Sequence, residues 1–258
     1  MTLWWAALIG VGIGFLGGLL GKGGSAIATP LLHAVGVPAI IAVAAPLPAT
    51  IPSTLVASYA YAREHLVEWR VVRWTIAFGA PATVLGAVLT RWIGGPVLVR
   101  VTDAILLVLG VRLLIGTRRP SAIAAPPGDS PTDTVQPAEQ LSPVLLAGVA
   151  MVVGFVSGLL ANSGGFLLAP LFITVLRLPI RAALASSLAV SSVLAVPGTI
   201  VHAALGHIDW ELVAVFGATS VPLSFLGARV ALRIDAHRLE RLYGLALVVL
   251  GAGFLVVS

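Results

Sequence analysis

The sequence contains no cysteine, which excludes disulfides, thiolate metal sites and cysteine nucleophiles. Charge is also scarce, because only 10% of the residues are Asp, Glu, Lys or Arg, and lysine occurs once, as Lys22. No two histidines have the H-x-x-x-H or H-E-x-x-H spacing of a helical zinc site. We therefore expect neither a metal site nor a cofactor.

The sequence also lacks a recognisable catalytic motif. The segment GKGGS at residues 21–25 does not have the G-x-x-x-x-G-K-[ST] spacing of a phosphate-binding loop. No arrangement of serine, histidine and aspartate stands out as a catalytic triad. We therefore expect a protein that is not an enzyme.

Long apolar segments dominate what is present. The mean hydropathy is +1.06 and 59% of the residues are hydrophobic. Runs of about twenty apolar residues, each long enough to cross a bilayer as a helix, recur along the chain. The runs are continuous rather than alternating, so we predict an all-α integral membrane protein, not a barrel. The first run lacks a basic leader and is interpreted as a mature span rather than a signal peptide.

The chain consists of two related halves. GFLGGLLGKGGSAIATPL at residues 14–31 recurs as GFVSGLLANSGGFLLAPL at residues 154–171, with eight of eighteen positions identical. After one inserted residue the correspondence continues at an offset of 141, where Glu68-Trp69 matches Asp209-Trp210. Internal repeats of this kind are typical of secondary transporters. Residues 1–116 form the first membrane repeat, 117–143 a flexible linker rich in Pro, Ser and Thr, and 144–258 the second repeat.

Each half contains one long apolar run interrupted at the glycine-rich motif and then three ordinary spans. The interrupted runs cover residues 3–35 and 144–176. The predicted spans cover residues 38–62, 71–91, 96–115, 180–205, 212–229 and 239–257.

The arginines indicate the topology. If each interrupted run returns to its starting side, twelve of the fourteen arginines lie on one side, and only Arg91 and Arg100 on the other. A single crossing would give six against eight, so the positive-inside rule favours the returning hairpin. Three further spans per half make the repeats inverted, with the linker cytoplasmic and both termini periplasmic. A hairpin of two full crossings has the same parity, although the short returning arm favours a re-entrant turn.

The helix breaks are the predicted substrate site. Backbone that leaves the helical form inside a membrane is tolerated only beside protein or a watery cavity. The helix restarting near Ser25 would direct its first amides, which carry partial positive charge, at the turn. If the halves are inverted, the two breaks can converge near the midplane. The candidate substrate-binding residues are Lys22, Gly23, Gly24, Ser25, Asn162, Ser163, Gly164, Gly165, Ser186 and Ser187.

Several of these residues have a second interpretation. Lys22 either pairs with a transported anion or lies shallower and extends its ammonium group to water. The hydroxyls of Ser186 and Ser187 either contact an oxyanion or form hydrogen bonds between helices. Of the other glycines, Gly14, Gly18, Gly154 and Gly158 have small-xxx-small spacing and are assigned to close helix packing.

The paired motifs GFLGGLLGKGGSAIATPLL and GFVSGLLANSGGFLLAPLF resemble the glycine-rich signature of the sulfite exporter TauE/SafE family. ASSLAVSSV and ALGHIDWEL resemble two further elements of that family. The resemblance covers both halves and implies a bacterial inner-membrane exporter of sulfite, organosulfonates or related anions. Lys22 and Ser25 in the first motif, and Asn162 and Ser163 in the second, depart from the family's glycine pattern. Ala45-Pro46 stands where a Thr-Ser pair is expected.

The sequence therefore predicts an alternating-access transporter whose partners are a small anionic substrate and the lipid bilayer. The arginines lie at span ends and are interpreted as topology signals, so no nucleic acid is expected. A homodimer remains open. The alternatives are an anion channel or a transporter of another small organic anion.

Overall fold

The computed structural model describes residues 2–21, 25–89, 111, 142–159, 165–204 and 206–257. Every regular element in these ranges is helical, as the sequence predicts. We number the helices in chain order: α1 (Thr2–Leu20), α2 (Ser25–Ala34), α3 (Ala39–Ala44), α4 (Pro46–Ala62), α5 (Trp69–Leu89), α6 (Pro143–Leu159), α7 (Gly165–Thr174), α8 (Ile180–Ala204), α9 (Trp210–Arg233) and α10 (Ala236–Val257).

The helices follow the predicted spans closely. Among the described residues, four stretches are long and apolar enough to cross a membrane: Leu3–Leu20, Ile40–Ala62, Ile180–Ala204 and Trp210–Arg233. The second of these is divided at Ala45 into α3 and α4, because the following Pro46 has no amide hydrogen to continue the ladder. The predicted span at residues 96–115 and the linker at 117–143 lie almost entirely outside the described residues, which include only Val111, Ser142 and Pro143 from them.

The first interrupted run divides where the glycine motif predicts. Helix α1 ends at Leu20, and Gly21 follows with a φ of +63°, the left-handed conformation that commonly terminates helices. Helix α2 then begins at Ser25. In the second half α6 ends at Leu159 and α7 begins at Gly165. Both apolar runs are therefore two helices.

The two halves share loop conformations. Gly36 and Arg177 occupy equivalent positions after the short second helix of each half, and their φ values are +95° and +54°. His65 and Gly206 are likewise equivalent, with φ values of +55° and +70°. A left-handed residue costs energy when it is not glycine, so its recurrence at equivalent positions indicates that the repeat extends from sequence to backbone.

Helices from different halves pack along glycine contacts. Gly14 and Gly18 of α1 lie against the backbone of Ser220 and Ser224 of α9, in an order that makes the two helices parallel. The equivalent pair is α6 and α5, where Gly154 lies against the backbone of Gly79. A Cβ at Gly14, Gly18 or Gly154 would collide with the facing helix, so the packing role predicted for these three glycines is confirmed.

The repeat-equivalent helices α4 and α8 pack against each other in opposite directions. Leu47, near the start of α4, lies beside Gly198, near the end of α8. Ser58, near the end of α4, donates a hydrogen bond of 3.4 Å to the carbonyl of Ala185, near the start of α8. These contacts make the two helices antiparallel.

The outer surface suits a lipid environment. Large apolar side chains are exposed on most of the long helices, among them Leu85, Val152 and Ile200. The equivalent residues Trp69 and Trp210 begin α5 and α9 and are about 60% exposed (59% and 60%). Exposed tryptophans at helix ends are typical of the interface between lipid and water.

Candidate functional site

The break at the end of α1 is held against α8 of the other half. Gly21 packs on the backbone and side chain of Leu184, and its carbonyl accepts a hydrogen bond of 2.9 Å from the hydroxyl of Ser187. Ser187 is fully buried, and its hydroxyl also contacts the carbonyl of Leu184 at 2.8 Å. Ser187 therefore binds a backbone group that the end of α1 leaves exposed inside the protein.

Two further hydroxyls support this contact between the halves. Tyr61, fully buried near the end of α4, donates a hydrogen bond of 3.2 Å to the carbonyl of Gly18. The hydroxyl of Ser186 accepts a hydrogen bond of 3.0 Å from the amide of Glu68, immediately before α5. Burial raises the pKa of the Glu68 carboxyl above its ordinary value. Ser186 and Ser187 therefore both hydrogen-bond to backbone groups of the first half, which agrees with the second of the two roles considered for them from the sequence. Their contact with an anion stays a prediction.

Arg181 brings a positive charge to the same end of α8. Its side chain is only partly exposed, and Nη2 donates a hydrogen bond of 2.7 Å to the carbonyl of Ile234 at the end of α9. Nε of the same guanidinium is buried without a hydrogen-bond partner among the described residues. A desolvated N–H on a cation is a favourable donor for an anion.

The break lies nearer one end of α8 than its middle. Leu184 and Ser187 are the fifth and eighth residues of this 25-residue helix, so Gly21 contacts it about 6–10 Å from its start. The residues of the second break, 160–164, lie outside the described residues. The convergence of the two breaks near the midplane therefore stays a prediction.

A second polar feature lies between α1, α4 and α9. We call it the hydroxyl cavity. Its walls carry the hydroxyls of Thr50, Ser53, Thr54, Ser220 and Ser224 together with Ile13, Gly14, Gly17 and Phe216. All five hydroxyl residues are buried. The volume within which the centre of a water molecule can lie is about 10 Å³, so the cavity has room for one water molecule or one small ion.

The hydroxyl cavity lies midway along its helices. Thr50 and Thr54 are central in the stretch Ile40–Ala62, and Ser220 is central in α9. Gly14 and Gly17 lack side chains and so leave room beside α1. Hydroxyl groups in the middle of membrane helices can hydrogen-bond between helices or bind a solute.

The structure describes four of the ten predicted binding residues. Lys22, Gly23, Gly24, Asn162, Ser163 and Gly164 lie outside the described residues. Ser25 and Gly165 are described as the first residues of α2 and α7, which are the helix starts predicted to face the site. Ser186 and Ser187 are the predicted residues whose side chains the structure places, and Ser187 lies beside Gly21.

Sequence reasoning did not identify the five hydroxyls of the hydroxyl cavity, nor Arg181 and Tyr61, as functional residues. The motifs ATIPST and ATSVPLS carry a signal, because each places hydroxyl residues around a proline at the centre of a span. Proline removes a helical hydrogen bond and hydroxyls can replace it, so the pattern indicates a polar site.

Comparison with known proteins identifies the family. A family model described as "Sulfite exporter TauE/SafE" matches residues 6–254. The chain belongs to the TauE/SafE family. A protein from Xylella fastidiosa strain 9a5c, named "Probable membrane transporter protein", is 30% identical over 245 residues, covering 92% of this chain and 88% of that protein.

Two further relatives agree with this membership. A protein of the same name from Xylella fastidiosa strain Temecula1 is 29% identical over 240 residues, covering 92% of this chain and 88% of its own length. "Probable membrane transporter protein YunE" from Bacillus subtilis is 28% identical over 87 residues, or 34% of this chain and 30% of its own length. No solved structure matches the chain. This TauE/SafE protein is therefore a multi-pass membrane transporter with apolar helices long enough to span a bilayer.

Proposed function

We propose that this protein exports small sulfur-containing anions, such as sulfite or organosulfonates, across the bacterial inner membrane. The observation that carries the proposal is the interruption between Leu20 and Ser25, which Ser187 ties to the opposite half of a TauE/SafE protein. The first amides of a helix carry partial positive charge, so those at the start of α2 would favour a negative charge. Arg181 adds a cation to the same part of the molecule, one to two turns before Ser187 on α8.

The substrate would bind at the breaks. In this proposal Lys22, Gly23, Gly24 and Ser25 contribute from the first half, and Asn162, Ser163, Gly164 and Gly165 from the second. Ser187 fixes the position of Gly21, next to Lys22. A bound anion would offset the cost of placing the Lys22 ammonium group inside the membrane.

The halves would be inverted and move against each other to expose the site alternately. The antiparallel packing of α4 and α8 supports inversion, because equivalent helices of an inverted repeat run in opposite directions. In this topology the linker at 117–143 is cytoplasmic and both termini are periplasmic. A homodimer is compatible with this arrangement.

The transport proposal is tested by flux into proteoliposomes. We expect counterflow of labelled sulfite, and we expect Lys22→Ala to reduce the initial rate at least about tenfold through loss of the anion's charged partner. Ser192→Ala is the matched control, since Ser192 is another buried serine of α8 and its hydroxyl donates to the carbonyl of Ala189 in the same helix. Full activity of Lys22→Ala would contradict the proposed site, and flux without counterflow would indicate a channel.

The orientation can be tested separately, because the chain has no native cysteine. Glu64→Cys and Glu211→Cys place single thiols at exposed positions beside the equivalent turns before α5 and α9. We expect a membrane-impermeant maleimide added to intact cells to label the second variant and to spare the first. Labelling of both thiols, or the reverse pattern, would contradict the inverted topology.

A further inference from the structure

The hydroxyl cavity has more hydrogen-bond acceptors than donors available to an occupant. Thr50 donates its hydroxyl proton to the carbonyl of Pro46 at 2.8 Å. Thr54 donates to the carbonyl of Thr50 at 2.8 Å. Ser224 donates to the carbonyl of Ser53 at 2.9 Å. These three protons are committed, because a carbonyl oxygen can only accept.

The remaining two hydroxyls contact each other. Oγ of Ser53 and Oγ of Ser220 are 3.1 Å apart, so one of them donates to the other and a single hydroxyl proton of the five remains uncommitted. Each hydroxyl oxygen has two lone pairs and accepts while it donates. The walls of the hydroxyl cavity are therefore rich in oxygen lone pairs and poor in protons.

An anion is a poor occupant of such a cavity. A sulfite or sulfonate needs several donors, and it has at least four non-hydrogen atoms where the cavity holds one small particle. A small cation fits on both grounds, because it is bound by oxygen lone pairs rather than by hydrogen-bond donors and because it needs little space. None of the described residues that line the cavity is acidic, and calcium and magnesium sites are normally built with carboxylates, so a monovalent cation fits better than a divalent one.

We propose that the hydroxyl cavity is a binding site for one sodium ion. Thr50, Ser53, Thr54, Ser220 and Ser224 supply neutral oxygen ligands at the point where α1 and α4 of the first half meet α9 of the second. Because Gly17 lines the cavity and lies four residues before Gly21, sodium would act on the same helix that ends at the break. Use of sodium as the coupling ion rests on the proposed anion transport, whereas the site itself does not.

Sodium binding is tested on the purified protein without any anion substrate. We expect sodium chloride to raise the melting temperature more than choline chloride at equal ionic strength, because an ion that binds only the folded state stabilises it. Equilibrium dialysis with radioactive sodium should give one ion per chain. No sodium-specific stabilisation, or no saturable binding, would overturn the proposal and would mean that the cavity holds water only.

Two variants from different helices locate the ion. Thr54→Val keeps the shape of the side chain but removes an oxygen from α4, and Ser224→Ala removes one from α9. Each should weaken the apparent sodium affinity at least tenfold, whereas Ser192→Ala, outside the cavity, should not change it. Affinities equal to that of the unchanged protein in both variants would contradict the assignment. If one variant does not fold, the other decides.

The two proposals fail separately. Sodium binding without sulfite counterflow would leave the cation site standing and remove the anion-export function. Sulfite counterflow without sodium binding would do the reverse.

Discussion

A helix of one half packs on a helix of the other half at two places, which have the same backbone arrangement but different side chains. At the first crossing α1 lies on α9, with Gly14 against Ser220. At the second crossing α6 lies on α5, with Gly154 against Gly79. Both contacts bring backbone against backbone, which only glycine permits at this separation. Close approach is therefore common to the two crossings and is a property of the repeat.

The side chains at the two crossings are not equivalent. The five hydroxyl residues of the hydroxyl cavity correspond to Ser191, Leu194, Ala195, Gly79 and Thr83 at the other crossing. Three of those five have no hydroxyl, and that of Thr83 donates to the carbonyl of Gly79 at 2.8 Å. The repeat thus preserves the packing while the first crossing carries more hydroxyl groups than the second, which is expected where a scaffold is shared and a binding site is not.

The largest effect should come from blocking close approach at the first crossing. In Gly18→Leu the new side chain would meet the backbone of Ser224 and Ala228, which cannot move aside. We expect a loss of about 3 kcal/mol or more, seen as little folded protein in size-exclusion chromatography of detergent extracts. Gly12→Leu is the control, because a Cβ added at Gly12, on the same helix, would have no described atom of another part of the protein within 4 Å. Equal yields of the two variants would contradict the described packing.

A smaller side chain can be added at the equivalent contact of the second crossing. Gly154→Ala places a methyl group against the carbonyl of Gly79, whereas Gly148→Ala, two turns earlier on α6, meets nothing within 4 Å. We expect a destabilisation of about 1–3 kcal/mol for the first variant and almost none for the second, measured as thermal midpoints in detergent. Indistinguishable midpoints would mean that the two crossings do not share close approach.

A smaller effect is expected where a side chain supports the end of α1. Tyr61→Phe removes the hydroxyl that donates to the carbonyl of Gly18, at a cost of about 1 kcal/mol. Tyr59→Phe is the control, since Tyr59 is 60% exposed. The equivalent of Tyr61 in the second half is His202, whose Nδ1 lies 3.3 Å from Nδ1 of His207. If Tyr61→Phe leaves the thermal midpoint unchanged, the hydroxyl does not stabilise the helix end.

Sequence patterns predict most of the described fold. Apolar runs define the helices because each must cover about 30 Å of hydrocarbon, and helix breaks follow from Gly21 and its neighbours. The separation of α3 from α4 at Ala45 was not predicted. Proline disfavours the helix ladder at that point, but how far a proline-rich helix opens depends on its tertiary neighbours.

The candidate site is less accessible to sequence reasoning. The motifs identify where helices end, so Ser25 was predicted as a helix start, whereas Gly165, which was assigned to the turn, is the first residue of α7. The contact of Ser187 with Gly21 joins residues 166 positions apart, and that of Ser53 with Ser220 joins residues 167 apart. Which hydroxyls meet depends on how α4, α8 and α9 cross, and periodicity within one helix carries no information about crossings.

The smallest effect, and one of opposite sign, should come from removing a buried hydroxyl at the second crossing that makes no hydrogen bond to the described residues. Ser157 of α6 is equivalent to Gly17 of the hydroxyl cavity, is fully buried, and has no hydrogen-bond partner among the described residues. An unsatisfied buried hydroxyl destabilises the fold. Ser157→Ala should therefore leave the thermal midpoint unchanged or raise it, by the equivalent of about 1 kcal/mol or less. A clear fall would show that the hydroxyl binds something in the folded protein, and the second crossing would then hold a polar site of its own.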